Sequence, residues 1–82
     1  MERTINTMMG VARYIQDLAR THDAADVHIT RAADRGLNIW ITGCFLSDAE
    51  WLQRRANAVA GEHIQIYASR DDGGLLLELE RV

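Results

Sequence analysis

Cys44 is the only thiol of the chain, and it stands in Gly43-Cys44-Phe45-Leu46-Ser47-Asp48-Ala49-Glu50-Trp51, three residues ahead of a helix start signal at Ser47. A helix N-terminus lowers a thiol pKa through its dipole and free amides, so this placement could make a nucleophile. Two features oppose that. Asp48 and Glu50 fall in the first helical turn, where their charge disfavours a thiolate. A cysteine nucleophile also needs a base within hydrogen-bond reach and a third group to orient it. His28 and His63, however, alternate onto a strand face turned away from the helices. The cysteine reads as structural, and catalytic residues are not expected. A small thiol enzyme or ligand binder around Cys44 ranks last among the functions considered.

Metal chemistry fares no better. His22, His28 and His63 lack the short spacings of familiar zinc sites. His22-Asp23-Ala24-Ala25-Asp26 puts one imidazole near two carboxylates, but it sits where a helix ends and a strand begins. Asp34-Arg35-Gly36 and Asp71-Asp72-Gly73-Gly74 are turn sequences. A phosphate-cradling loop needs a glycine-rich strand-to-helix junction, and neither lies at one. No metal and no cofactor are expected.

The elements that position these residues must fit in 82 residues, enough for one domain, 1–82, and too few for two. A hydrophobic share of 48% with 26% charged residues is that of a globular chain, not a disordered one. Net charge is −3, and all nine basic residues are arginine, which reads as coding bias more than chemistry. Nucleic-acid binders usually show a clustered basic face, and the balance here provides none. Composition favours a protein partner or a small ligand. No apolar run approaches ~18 residues, so no membrane span is expected. The first twenty residues scatter charge through their apolar positions, unlike a signal peptide. With one cysteine, which fits a reducing compartment, the expected location is cytoplasmic.

Residues 4–21 show helical spacing: Ile5, Met8, Met9, Ala12, Ile15, Leu18 and Ala19 share one side. Gly10 interrupts the run and suggests a close approach. Val27 and Ile29, then Leu37, Ile39 and Ile41, alternate with polar residues around a turn in which Gly36 is available for a positive φ. Ser47 and Glu50 have the spacing of a capping box, Leu46 and Trp51 that of a hydrophobic staple, and the helix runs to about Ala60 before Gly61. A second hairpin follows, with Ile64, Ile66 and Ala68 facing Leu75, Leu77 and Leu79; aligning Ile66 with Leu77 sets Tyr67 beside Leu76. The two hairpins form a weak internal repeat that convergent turn chemistry explains as well as duplication does. The α-β-β-α-β-β order predicts an α+β two-layer sandwich: a four-stranded antiparallel sheet with two helices on one face. Its topology resembles a ferredoxin-like fold whose first strand has been moved to the end, a fold class that hosts too many functions to imply one.

Alternation leaves a second sheet face carrying His28, Asn38, Trp40, His63, Tyr67 and Leu76, with Glu78 and Glu80 on the same face. Aromatics on such a face suit protein contact. The expected function is therefore that of a non-enzymatic protein-interaction module: a small accessory or inhibitor protein of bacterial or phage type, binding another protein or itself as a homodimer. The alternative is a single-stranded nucleic-acid binder that stacks bases on the aromatics or holds phosphates through Arg13, Arg20, Arg54 and Arg55 on the helices. Glu78 and Glu80 argue against stacking on this face.

Overall fold

The first helix starts four residues later than apolar spacing predicts. In the computed structural model, which describes residues 4–22, 26–43, 46–71 and 74–82 (without the side chains of Asp34, Leu46 and Asp71), α1 spans Met8–Thr21. Thr7 is extended (φ −113°, ψ 142°), and its Oγ1 accepts the Gly10 amide at 3.1 Å, which caps the helix. The preceding residues do something else. The Ile5 amide donates to the Val59 carbonyl (2.7 Å) and the Gly61 amide to the Ile5 carbonyl (2.8 Å), a short parallel bridge across the sequence. Gly61 is small for this reason: a Cβ there would lie 3.2 Å from the Ile5 carbonyl oxygen and against Asn6 Oδ1. At Gly10 a Cβ would come within 2.7 Å of an Ile5 methyl group, the close approach its position suggested.

α1 buries Val11, Ala12, Ile15 and Ala19, whereas Met9, expected on the apolar side, is 45% exposed. The chain then forms β1 (Asp26–Arg31), a 3₁₀ turn over Ala33–Arg35, and β2 (Leu37–Thr42). Register in this hairpin is the one expected, with Ile29 opposite Ile39 and His28 opposite Trp40. The turn differs. Positive φ falls on Arg35 (64°), not on Gly36, whose φ is −76°. Gly36 is needed for room, since a Cβ would sit 2.7 Å from the Leu79 carbonyl oxygen.

α2 spans Leu46–Val59, so Ser47 lies inside its first turn and not ahead of it as the capping-box reading required. Gly43, at the exit of β2, has φ 76°. We expect Gly43→Ala to cost about 1–2 kcal/mol through that left-handed conformation, read as a lower melting temperature.

β3 (Ile64–Asp71) and β4 (Gly74–Arg81) close the chain, and the sheet order is β1-β2-β4-β3, antiparallel throughout. This is the order obtained when the first strand of a ferredoxin-like sheet is transferred to the end. The register of the second hairpin is displaced by two from expectation: Ile66 faces Leu79, and Tyr67 faces Glu78 instead of Leu76. The strands run to Asp71 and Gly74, longer than predicted, and a two-residue slip keeps every side chain on its face. Both helices cover one side of the sheet, where Ile39, Ile41, Leu52, Leu75 and Leu77 are fully buried, and the molecule measures 33 × 29 × 16 Å, the thickness of two layers. No helix among the described residues is long and apolar enough to cross a membrane.

Candidate interaction surface

The helix-free face of the sheet is built in rows by the strand register. One row runs His28, Trp40, Leu76, Ser69 from β1 to β3; the next runs Thr30, Asn38, Glu78, Tyr67. Five of the six residues expected on this face are brought together there. His63 is not. It lies in the turn before β3, with a side chain 76% exposed and 3.6 Å from Glu62.

The two aromatics differ in what holds them. Trp40 is only half-buried, because its indole covers Gly74: a Cβ on that glycine would meet the ring at 2.9 Å. A large ring over a strand glycine shields backbone that would otherwise face water, so Trp40 has a structural task of its own. Tyr67 has none of that cover. It is 48% exposed and stands opposite Glu78 on the outermost strand. Substituting Trp40 would uncover Gly74 as well as change the face, which makes Tyr67 the cleaner probe of contact.

Backbone polarity adds a feature that side-chain patterning missed. The Val82 amide donates to the His63 carbonyl (2.8 Å) and the Ala32 amide to the Gly36 carbonyl (2.9 Å). Bonded pairs alternate along an antiparallel ladder. Stepping along the observed registers from either bond gives the same scheme: Gln65, Tyr67, Ser69 and Asp71 turn their backbone groups toward β4. Ile64, Ile66, Ala68 and Arg70 turn theirs outward. The Ile64 amide is used by the Gly61 carbonyl (3.0 Å), but the outward groups of Ile66, Ala68 and Arg70 have no partner among the described residues.

The opposite edge is blunted. On β1 the outward residues are Val27, Ile29 and Arg31, and the Val27 amide is already taken by Asp26 Oδ1 (3.0 Å). The other oxygen of Asp26 lies 2.9 Å from His28 Nε2, which accounts for that histidine as part of the plug. Charges, short length and occupied amides are the usual protection of an edge strand. β3 has eight residues, no proline, and no charge before Arg70. It is the unprotected edge.

The four helical arginines differ in what holds them. Arg55 donates to the Tyr14 hydroxyl at 2.6 Å, with its guanidinium 5.9 Å from the ring centre, and so ties α2 to α1. Arg54 lines a shallow cavity that also contains Glu50 and Arg70, themselves paired at 3.2 Å. Arg13 and Arg20 are exposed on α1. His22 caps the end of α1 and stacks on Trp51, ring centres 4.3 Å apart, with Asp48 at 3.6 Å. Cys44 lies outside the described residues. No protein-family model matches the chain, and comparison with curated proteins and with solved structures gave no significant match.

Proposed function

We propose that this chain is a protein-interaction module whose partner docks along the free edge of β3, and that its first partner is a second copy of itself. The observation that carries this reading is the run of outward backbone groups at Ile66, Ala68 and Arg70 on an edge with no proline and no charge before its last two residues. Antiparallel pairing of two such edges about a two-fold axis is self-complementary. Ladder bonds form between outward residues only; the register centred on Tyr67 sets Ile66 against Ala68 of the second copy and the Arg70 amide against the Ile64 carbonyl of the second copy, the Ile64 amide staying with Gly61. Tyr67 then meets Tyr67 of the second copy at a non-hydrogen-bonded position, where cross-strand side chains come closest. Ile66 and Ala68, half-buried at the rim of the core, would extend that core across the junction. The product is one eight-stranded sheet with all four helices on a single side.

Tyr67→Lys tests this with little cost to the monomer, because the lysine faces Glu78 within its own chain. In the dimer it sets two ammonium groups against each other. Light scattering over a concentration series should give a mass rising toward twice the 9.3 kDa of the chain for the wild type and one chain mass for Tyr67→Lys. A wild type that stays at one chain mass, or a dimer that Tyr67→Lys leaves intact, overturns the proposal.

A further inference from the structure

A second feature lies at the other end of the sheet, on its helix side. Arg31 is the last residue of β1, Arg81 the last of β4, and Arg35 closes the 3₁₀ turn between β1 and β2. All three line one cavity of about 380 Å³, with Met8 and Met9 from the start of α1 and Leu37 from β2 as its apolar wall. Arg31 lies two residues beyond Ile29 and opposite Leu37, and Arg81 two residues beyond Leu79, so both share the sheet face that the core occupies. Three of nine basic residues thus meet in one recess of a chain whose net charge is −3. Among the described residues no carboxylate lines the cavity, none of the three arginines has an ion-pair partner, and the first turn of α1 carries no acidic residue.

Like charges held together without a counter-ion raise the energy of the folded state, and an anion that binds there relieves that cost. We infer that this cavity binds a small phosphate monoester, with the phosphate among the three guanidiniums and the organic group against Met8, Met9 and Leu37. A carboxylate has one charge and two oxygens, enough for a single fork. A phosphate monoester carries roughly two charges on three terminal oxygens and can engage all three. The volume is that of a small-molecule site, not of a groove that follows a polymer. This site is independent of the β3 edge.

Phenyl phosphate is a suitable probe, followed by amide chemical shifts of the full chain, with inorganic phosphate, benzoate and a single-stranded oligonucleotide as comparisons. Phenyl phosphate should give saturable shifts centred on Met8, Met9, Gly36 and Leu37. Inorganic phosphate should bind the same place more weakly, having nothing for the apolar wall, and benzoate weaker still. Arg81→Ala should weaken phenyl phosphate roughly tenfold, as loss of one charge-assisted fork implies. Arg35→Asn should do the same while keeping a residue that tolerates the positive φ. The inference fails if the shifts do not saturate, if they survive the Arg35→Asn/Arg81→Ala double variant, or if benzoate matches phenyl phosphate. It fails equally if the oligonucleotide binds more tightly than phenyl phosphate through Arg13, Arg20 and Arg54, which would assign the basic residues to a polyanion.

Discussion

Leu77→Ala should cost about 3–4 kcal/mol of stability, whereas Leu76→Ala, one residue earlier, should cost about 1 kcal/mol. Leu77 is fully buried at the middle of β4, between Ile39 on β2 and Ala68 on β3, beneath both helices. Truncation there loses the transfer free energy of the removed carbons and leaves a cavity that a sheet flanked on both sides cannot close. Leu76 points to the helix-free face and is only half-buried beside Trp40. A chain of 82 residues has a total stability on the order of 4–12 kcal/mol, so the first variant removes a large share of it. Urea denaturation at constant slope reads both values. Equal losses at the two positions would contradict the assignment of faces.

A pair of proline substitutions should separate folding from association within two adjacent residues. The Ser69 amide turns toward β4, opposite Leu76, so Ser69→Pro removes a ladder bond and should cost about 3 kcal/mol or more. The Ala68 amide turns outward. Ala68→Pro should leave the monomer folded at a cost of about 1 kcal/mol while blocking a second strand, as proline does on natural edges. The expected result is an Ala68→Pro variant with native circular dichroism and the mass of one chain at every concentration, beside a Ser69→Pro variant that unfolds at a much lower urea concentration. If Ala68→Pro unfolds as readily as Ser69→Pro, the alternation of the ladder inferred from the His63 and Ala32 bonds is wrong.

Much of this architecture was legible in the sequence, and the exceptions have physical causes. The first hairpin was readable to the residue, because a short turn leaves Ile29 and Ile39 a single apolar register. In the second, alternation fixed the face of each side chain but not its partner, since slipping by two residues exchanges one apolar residue for another. Apolar spacing also carried the first helix back through Ile5, because a bridge to Ala60 and a helical position bury the same side chain. Trp40 and Tyr67 looked equivalent on their strands, and only the packing of one ring over Gly74 distinguishes them. The arginine-lined cavity draws on three elements far apart in the chain. Its signal was nevertheless present: Arg31 and Arg81 continue the apolar runs Val27-Ile29 and Leu75-Leu77-Leu79 at the same period, charges standing where the pattern calls for core. The open edge left no such trace, because the direction of a peptide N–H is set by pairing and not by residue type.

The bridge from Ile5 to Ala60 bears on how the molecule opens. Each half of the chain is a helix followed by a hairpin, and such halves could exchange their amide protons as separate cooperative units. Ile5 precedes the first helix yet is bonded to Val59 and Gly61, at the junction between the second helix and its hairpin. Fraying of the first half therefore strips the second of its hinge, and loss of the second helix releases the start of the first. With β2 and β4 also joined at the centre of the sheet, the two halves share backbone bonds at two separate places. The expected result is that the two halves open together, read as equal amide-exchange protection in both.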